Sequence, residues 1–373
     1  LVYIRSAKME ETNRETKGLR LSGPDIVRTL AAFFMVAVHF FVECGYYGTS
    51  LDTPLKFFMT AARWLFMCSV PLYMILTGFF KCNKEPDRAH YRSQIPVMVS
   101  YLFFSVIRIL VSNYYYGGAY GIREAFQVLG DYSIAWYVGF YVSLMAIAPF
   151  LNRLWHALKS KKEQHILLIS LVCISALNPL VSLPASSDKL FPAITGSLLE
   201  FAAPGYWQML YPLLYYFLGC YFRENRPKLN KLLLTGLVIA TVFINAAISW
   251  FYAEGSNFSW FVLGKVDSGY NGLTLAVCAA SLFLLFYDIE LKGRAVRFIL
   301  EKISSVSLEI YLSSAVVEIV IFDTVNRMFF TIEDFARLFF LLVPLNFICS
   351  LLISLVFKKM ISMVRFRKPA KPS

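Results

Sequence analysis

The sequence predicts an all-α, polytopic membrane fold: a bundle of about ten transmembrane helices with both termini cytoplasmic. Three observations carry this reading. Of 373 residues, 58% are hydrophobic and only 16% charged, with a mean hydropathy of +0.58; a water-soluble domain carries roughly 45–50% apolar and about 25% charged residues. The apolar residues gather into ten runs, each about as long as the ~20-residue helix that crosses a bilayer. The 36 Lys and Arg are unevenly shared between alternate connections, 27 on one side and 7 on the other, with Arg28 and Arg108 inside runs. The richer side is cytoplasmic under the positive-inside rule, and an even number of spans returns both termini to it.

Taken in order, the first span, 24–44, follows Ser22 and Pro24, a capping residue and a first-turn proline. The second covers 61–80, and Lys81 to Arg92 form a basic inner loop. The third, 93–113, carries Arg108, and the fourth, 133–152, enters from outside through Trp136 and Tyr137, where aromatic belts are common. The fifth, 165–183, and the sixth, 207–222, are joined by the longest outer connection, 178–206. The seventh, 232–251, and the eighth, 270–288, are joined by the other long one, 252–269; neither connection is large enough to fold alone. The ninth, 304–322, contains Glu309 and Glu318, and the tenth, 337–357, leads into a basic tail from Lys358. The predicted organisation is therefore a cytoplasmic tail over 1–23, a membrane domain over 24–357 and a second cytoplasmic tail over 358–373. The expected location is the cell membrane, multi-pass.

Several classes are excluded. Barrel strands alternate polar and apolar residues, and these runs do not. The net charge of +12 is dispersed over short loops between spans, not set along a groove with interleaved aromatics, so no nucleic-acid partner is expected. The seven cysteines show no paired spacing and five fall in or beside apolar runs, where a thiol behaves as a small hydrophobe; neither a disulfide framework nor a metal site is read from them. The first 20 residues are charged, so the first span is expected to direct insertion in place of a cleavable signal. Lipid-facing spans need no partner, and the oligomeric state stays open.

Ionisable groups inside spans are costly and mark candidate sites. The first span holds Asp25, Arg28 and His39; the third holds Arg108; the ninth holds Glu309 and Glu318. Arg28 and His39 are eleven residues apart, roughly 20° past three full helical turns and about 16 Å along the axis, so they share one face. Asp25, three residues before Arg28, is placed to pair with it. A cation at the inner mouth and an imidazole deeper on the same face suit a substrate with an anionic head and a reactive end. A neutral imidazole there can accept a proton from an attacking hydroxyl. The competing reading is that Arg28 snorkels to the interface and His39 bonds a neighbouring helix.

These residues resemble a known family. DIVRTLAAFFMVAVHF is similar to the opening helix of membrane acyltransferase family 3, with its Arg, ten residues, then His, and an Asp three before the Arg: here Asp25, Arg28 and His39. VPLYMILTGFF (70–80) resembles the family's VPxFFxxSGFF-like segment, and AWYVGFYVSLMAIAPFL its WY…Y…P pattern through Trp136, Tyr137, Tyr141 and Pro149. YPLLYYFLGCYF (211–222) and ISSVSLEIYL (303–312) match two later elements. In two places the chain departs from the family. Where the family often has a His after the ninth-span Tyr-Leu pair, this chain reads Tyr311-Leu312-Ser313-Ser314, and the basic residues before the third span are Arg88, His90 and Arg92, followed by Pro96.

The resemblance implies O-acyl transfer, most often of acetyl, from cytoplasmic acyl-CoA to a hydroxyl of a carbohydrate or glycolipid at the outer side of the membrane. No permanently bound cofactor is implied; acetyl-CoA or another acyl-CoA is the donor substrate, and the bilayer is the remaining partner. His39 becomes the catalytic candidate, as general base or transient acyl carrier. Arg28, Arg88 and Arg92 become phosphate-binding candidates on the inner side, where Arg suits phosphate oxygens. Asp25, Glu309, Tyr311 and Ser313 are supporting candidates, and Trp136, Tyr137 and Tyr141 candidate acceptor contacts. Glu318 and Arg108 are candidate neighbours near the outer face. The rival function is a transporter or exporter of a small solute or glycan, since polar residues on facing helices of a bundle also describe carriers.

Overall fold

The computed structural model describes residues 22–130, 132, 135–176, 205–253, 269–326, 328 and 331–366. The N-terminal tail to residue 21, most of the connections at 178–206 and 252–269, Arg327 and the end of the basic tail lie outside the described residues.

The helices follow one another as α1 (Ser22–Glu43), α2 (Pro54–Phe66), α3 (Ser69–Lys81), α4 (Arg88–Arg92), α5 (Ile95–Tyr115), α6 (Ile122–Gly130) and α7 (Trp136–Ala157). After them come α8 (Lys161–Leu171), α9 (Tyr211–Asn225), α10 (Lys231–Ala253), α11 (Leu273–Phe286), α12 (Arg294–Ser305), α13 (Ser307–Asn326) and α14 (Ile332–Phe366). No strand occurs among the described residues, as a chain that must satisfy its backbone within lipid requires.

Each of the ten predicted segments overlaps a helix. Among the described residues, however, six helices are long and apolar enough to cross a membrane: Ser22–Glu43, Pro54–Lys81, Arg88–Tyr115, Trp136–Ala157, Lys231–Trp250 and Ile332–Met363. The pair α12 and α13, bent by 69°, adds a seventh if taken as one span. The other three segments fall short for different reasons. Helix α11 has 14 residues and α9 has 15, about 21–23 Å of rise against a ~30 Å core. Helix α8 passes into one π-helical turn at Val172–Ala176, where the description stops.

The second span differs most from its prediction. Helical structure starts at Pro54, where Thr53 Oγ1 accepts the Lys56 amide at 3.4 Å, so Lys56 and Arg63, two of the seven cations assigned to the outer side, lie on a helix and are buried. They are tolerated because they are partnered. Lys56 Nζ lies 3.0 Å from Asp52 Oδ1 and 3.7 Å from Glu333 Oε1. Arg63 Nε donates to the Tyr47 hydroxyl at 3.0 Å, and its guanidinium stacks 4.7 Å from the Trp64 ring.

The core is organised by the crossing of α3 and α9, which is closer than side chains would permit. A Cβ on Gly78 would stand 1.9 Å from the Tyr216 carbonyl oxygen, and one on Gly219 would stand 2.1 Å from that of Ile75. Both positions need glycine because the obstacle is backbone. Helix α1 packs against α2, α3, α12 and α13, burying Val27, Ala31, Phe34, Val38 and Phe41, which recur at helical spacing on one face. The adjacent face, with Arg28, Met35 and His39, is left for the site.

Candidate active site

Helix α1 runs unbroken from Ser22 to Glu43, so the predicted placement of Arg28 and His39 on one face, about 16 Å apart along the axis, follows from helix geometry. At the Arg28 end, the guanidinium Nη1 donates to Ser304 Oγ at 3.2 Å, and Ser304 Oγ donates to Asp25 Oδ1. Ser304, the penultimate residue of α12, thus joins the two charged residues expected to pair. The guanidinium also lies 5.1 Å from the centre of the Phe80 ring, within cation–π range.

At the other end, His39 Nδ1 lies 3.4 Å from Glu318 Oε2, a long contact of the kind that tightens in a substrate complex. A carboxylate only accepts, so in the neutral ring the proton belongs on Nδ1 and the lone pair on Nε2. Glu318 is buried on α13 and is itself held: Asn346 Nδ2 donates to its Oε1 at 3.2 Å, and Ser350 Oγ donates to Asn346 Oδ1 at 2.9 Å. The charges of Glu43, one turn further along α1, and of Arg108 on α5 also act on His39. The imidazole keeps 32% of its surface exposed, enough to be reached.

Between the two ends lies a cavity of about 210 Å³. Its lining brings together two cations, Arg28 and Lys81, with Phe80, Met35, Tyr73, Thr77, Tyr137, Tyr141 and Tyr311. The Tyr311 ring then meets His39 edge to face, centroids 6.3 Å apart, and Tyr137 at 6.4 Å. With two cations and an aromatic wall, and with His39 against the Tyr311 ring, the cavity suits part of a ligand that carries an anionic group; its volume is below the ~300–1,000 Å³ of sites that hold a whole drug-sized ligand.

The other candidates separate. Arg88 and Arg92 are exposed on α4 and do not line the cavity; the second cation there is Lys81. His90, between them, is buried with its Nε2 donating to the Met145 carbonyl at 2.7 Å. Glu309 accepts from Ser100 Oγ at 3.1 Å and joins α13 to α5 outside the cavity. Ser313 is buried on the far side of α13, its hydroxyl 3.2 Å from the Ser350 carbonyl and 3.2 Å from Ser354 Oγ, so it secures the α13–α14 seam. Of the candidate acceptor contacts, Tyr137 and Tyr141 line the cavity, whereas Trp136 is exposed at the start of α7, 5.8 Å from the Tyr270 ring.

Sequence reasoning missed Lys81 and the partner of His39. A signal for the second was present: Glu318 is one of the few ionisable residues inside a predicted span, as His39 is. Among the described residues no group of three or more His, Cys, Asp or Glu is gathered as a metal would require.

A family model described as an acyltransferase domain matches residues 21–358. Comparison with curated proteins and with solved structures finds no match.

Proposed function

Because the chain belongs to acyltransferase family 3, we propose that it is a multi-pass cell-membrane enzyme that transfers an acyl group, most often acetyl in chains of this kind, from cytoplasmic acyl-CoA to a hydroxyl of a carbohydrate or glycolipid at the outer side. The observation that carries this reading is the cavity joining Arg28 and Lys81 to Tyr311 and so to His39. The excess of cations in alternate connections supports a cytoplasmic location for the Arg28 end and for both termini.

In this reading the donor's phosphates are held by Arg28 and Lys81 at the mouth, with Arg88 and Arg92 on α4 available to the more distant phosphates. The slender pantetheine arm occupies the cavity and delivers the thioester towards Tyr311. His39 Nε2 takes the proton of the acceptor hydroxyl as its oxygen bonds to the thioester carbonyl carbon. The C–S bond breaks, and the departing thiolate takes a proton from the imidazolium. Glu318, held by Asn346, fixes the imidazole tautomer and offsets the positive charge that develops on the ring.

The reading is tested with the chain purified into liposomes: labelled acyl-CoA should yield labelled glycan, and solute uptake without donor, with no transfer, would favour a carrier instead. Two variants test the parts. Arg28→Ala and Lys81→Ala should each raise the KM for acyl-CoA by about 10- to 100-fold, since a hydrogen bond to a charged group contributes about 1.5–3 kcal/mol; unchanged KM would remove these residues from the donor site. Glu318→Gln turns an N–H towards Nδ1 and moves the ring proton to Nε2. Turnover should fall at least about tenfold, towards the ~10⁴ that a wrong tautomer costs a Ser-His-Asp triad, and unaltered turnover would exclude the orienting role.

A further inference from the structure

Helix α12 is uncovered on an apolar face in spite of its charge. Val296, Ile299, Leu300 and Ile303 fall within about 100° of one another around the axis. Ile303 is buried, but Val296 and Ile299 remain 52% and 56% exposed. The opposite face and its flanks carry Arg294, Arg297 and Lys302 against the single acid Glu301, with Lys292 just before the helix; the exposed Phe298 ring also lies there, 5.1 Å beneath the Lys302 ammonium. Lys358 adds a further cation at the helix end, donating to the Ser305 carbonyl at 2.6 Å. The Arg297 Nε is buried without a hydrogen-bond partner among the described residues.

The setting of the helix gives these faces direction. The break at Val306 turns α12 by 69° from α13. With α13 crossing the bilayer, α12 therefore runs close to the membrane plane. Its cations are too many for the hydrocarbon core. The bonds of Ser304 to Asp25 and Arg28 fix its rotation about its own axis. An in-plane helix with one apolar face and basic flanks matches the boundary between headgroups and acyl chains.

We propose that α12 lies in one interface of the bilayer, with Val296 and Ile299 in the acyl boundary, and that the exposed Arg294 and Lys302 bind the headgroups of anionic phospholipid. Charge complementarity selects that partner: opposed by one carboxylate, the basic flanks favour an anionic leaflet surface over a zwitterionic one.

The test uses the whole chain in nanodiscs of phosphatidylcholine alone and of phosphatidylcholine with phosphatidylglycerol at three to one, reading amide hydrogen exchange over 294–305. Exchange there is expected to be several-fold slower with phosphatidylglycerol, the difference shrinking as salt is raised. The combined variant Arg294→Gln, Lys302→Gln should exchange equally in both discs, with α3 and α9 unchanged as the control for folding. Equal exchange of the unaltered chain in both discs would overturn the proposal. So would protection that follows chain density in phosphatidylcholine vesicles, which would assign the face to a second copy. No acyl donor is present, so the outcome is read separately from that of the acyl-transfer assay.

Discussion

Replacing His39 by alanine should lower acyl transfer by about 10²–10⁴-fold, the usual contribution of a general base, while the chain still inserts. Two features of the site make the loss large. In the neutral ring Nε2 is the unprotonated nitrogen because Nδ1 faces Glu318, and in the proposed function the cavity lined by Tyr311 brings the donor towards this ring. Alanine also leaves the buried Glu318 carboxylate without its imidazole, and part of any defect would come from that. His39→Gln separates the two effects: its amide can still donate towards Glu318, but it cannot take a proton from a hydroxyl at neutral pH. Both variants should therefore lose transfer, with His39→Gln holding near wild-type abundance and thermal midpoint. Transfer within a factor of two of wild type in His39→Gln would end the proposed mechanism.

Gly78→Ala and Gly219→Ala should be the most damaging substitutions outside the site. A Cβ at 1.9 Å or 2.1 Å from a carbonyl oxygen lies far inside van der Waals contact, and the obstacle is helix backbone, which cannot rotate away. Overpacking typically costs 1–3 kcal/mol and occasionally more; with two backbones in collision, about 3 kcal/mol or more is expected. Helix α3 also carries Tyr73, Thr77, Phe80 and Lys81, so separating it from α9 would widen the cavity and weaken donor binding. The measurement is the midpoint of thermal unfolding in detergent, with Gly236→Ala as the control. Nothing lies within 4 Å of a Cβ at Gly236, so that change should be neutral or slightly stabilising within α10. Equal midpoints for all three variants would show that the crossing is looser than described.

The parts of this molecule that follow from helical periodicity were legible before any coordinates. Arg28 and His39 share a face because eleven residues nearly complete three turns, and the same arithmetic applied from Tyr311 puts Ser307 and Glu318 on its face and Glu309 and Ser313 on the opposite one. Ser313 is a supporting candidate because it stands where the resembling family has a His, and Glu309 because it is an ionisable group in a span; helical phase separates both from Tyr311. Lys81 was hidden for another reason. It closes the second span and counts as a loop cation for topology, yet its position at the last turn of α3 brings it to the cavity beside Arg28. Arg88 and Arg92 looked better placed because nothing in the sequence shows that α4 leaves them exposed. Burial of Lys56 and Arg63 could not be read from composition, because it depends on partners as distant as Glu333.

The unbroken course of α1 makes the distance between its two functional ends a matter of phase as well as length. One residue inserted between Ala32 and Met35 would advance His39 by only 1.5 Å but swing it through 100°, away from Glu318 and out of line with the cavity. Three or four inserted residues would return the ring nearly to register while carrying it about 5–6 Å further from Arg28. The helix thus works as a gauge with its own graduation: the separation of Arg28 and His39 on one face can change only in steps of about a whole turn.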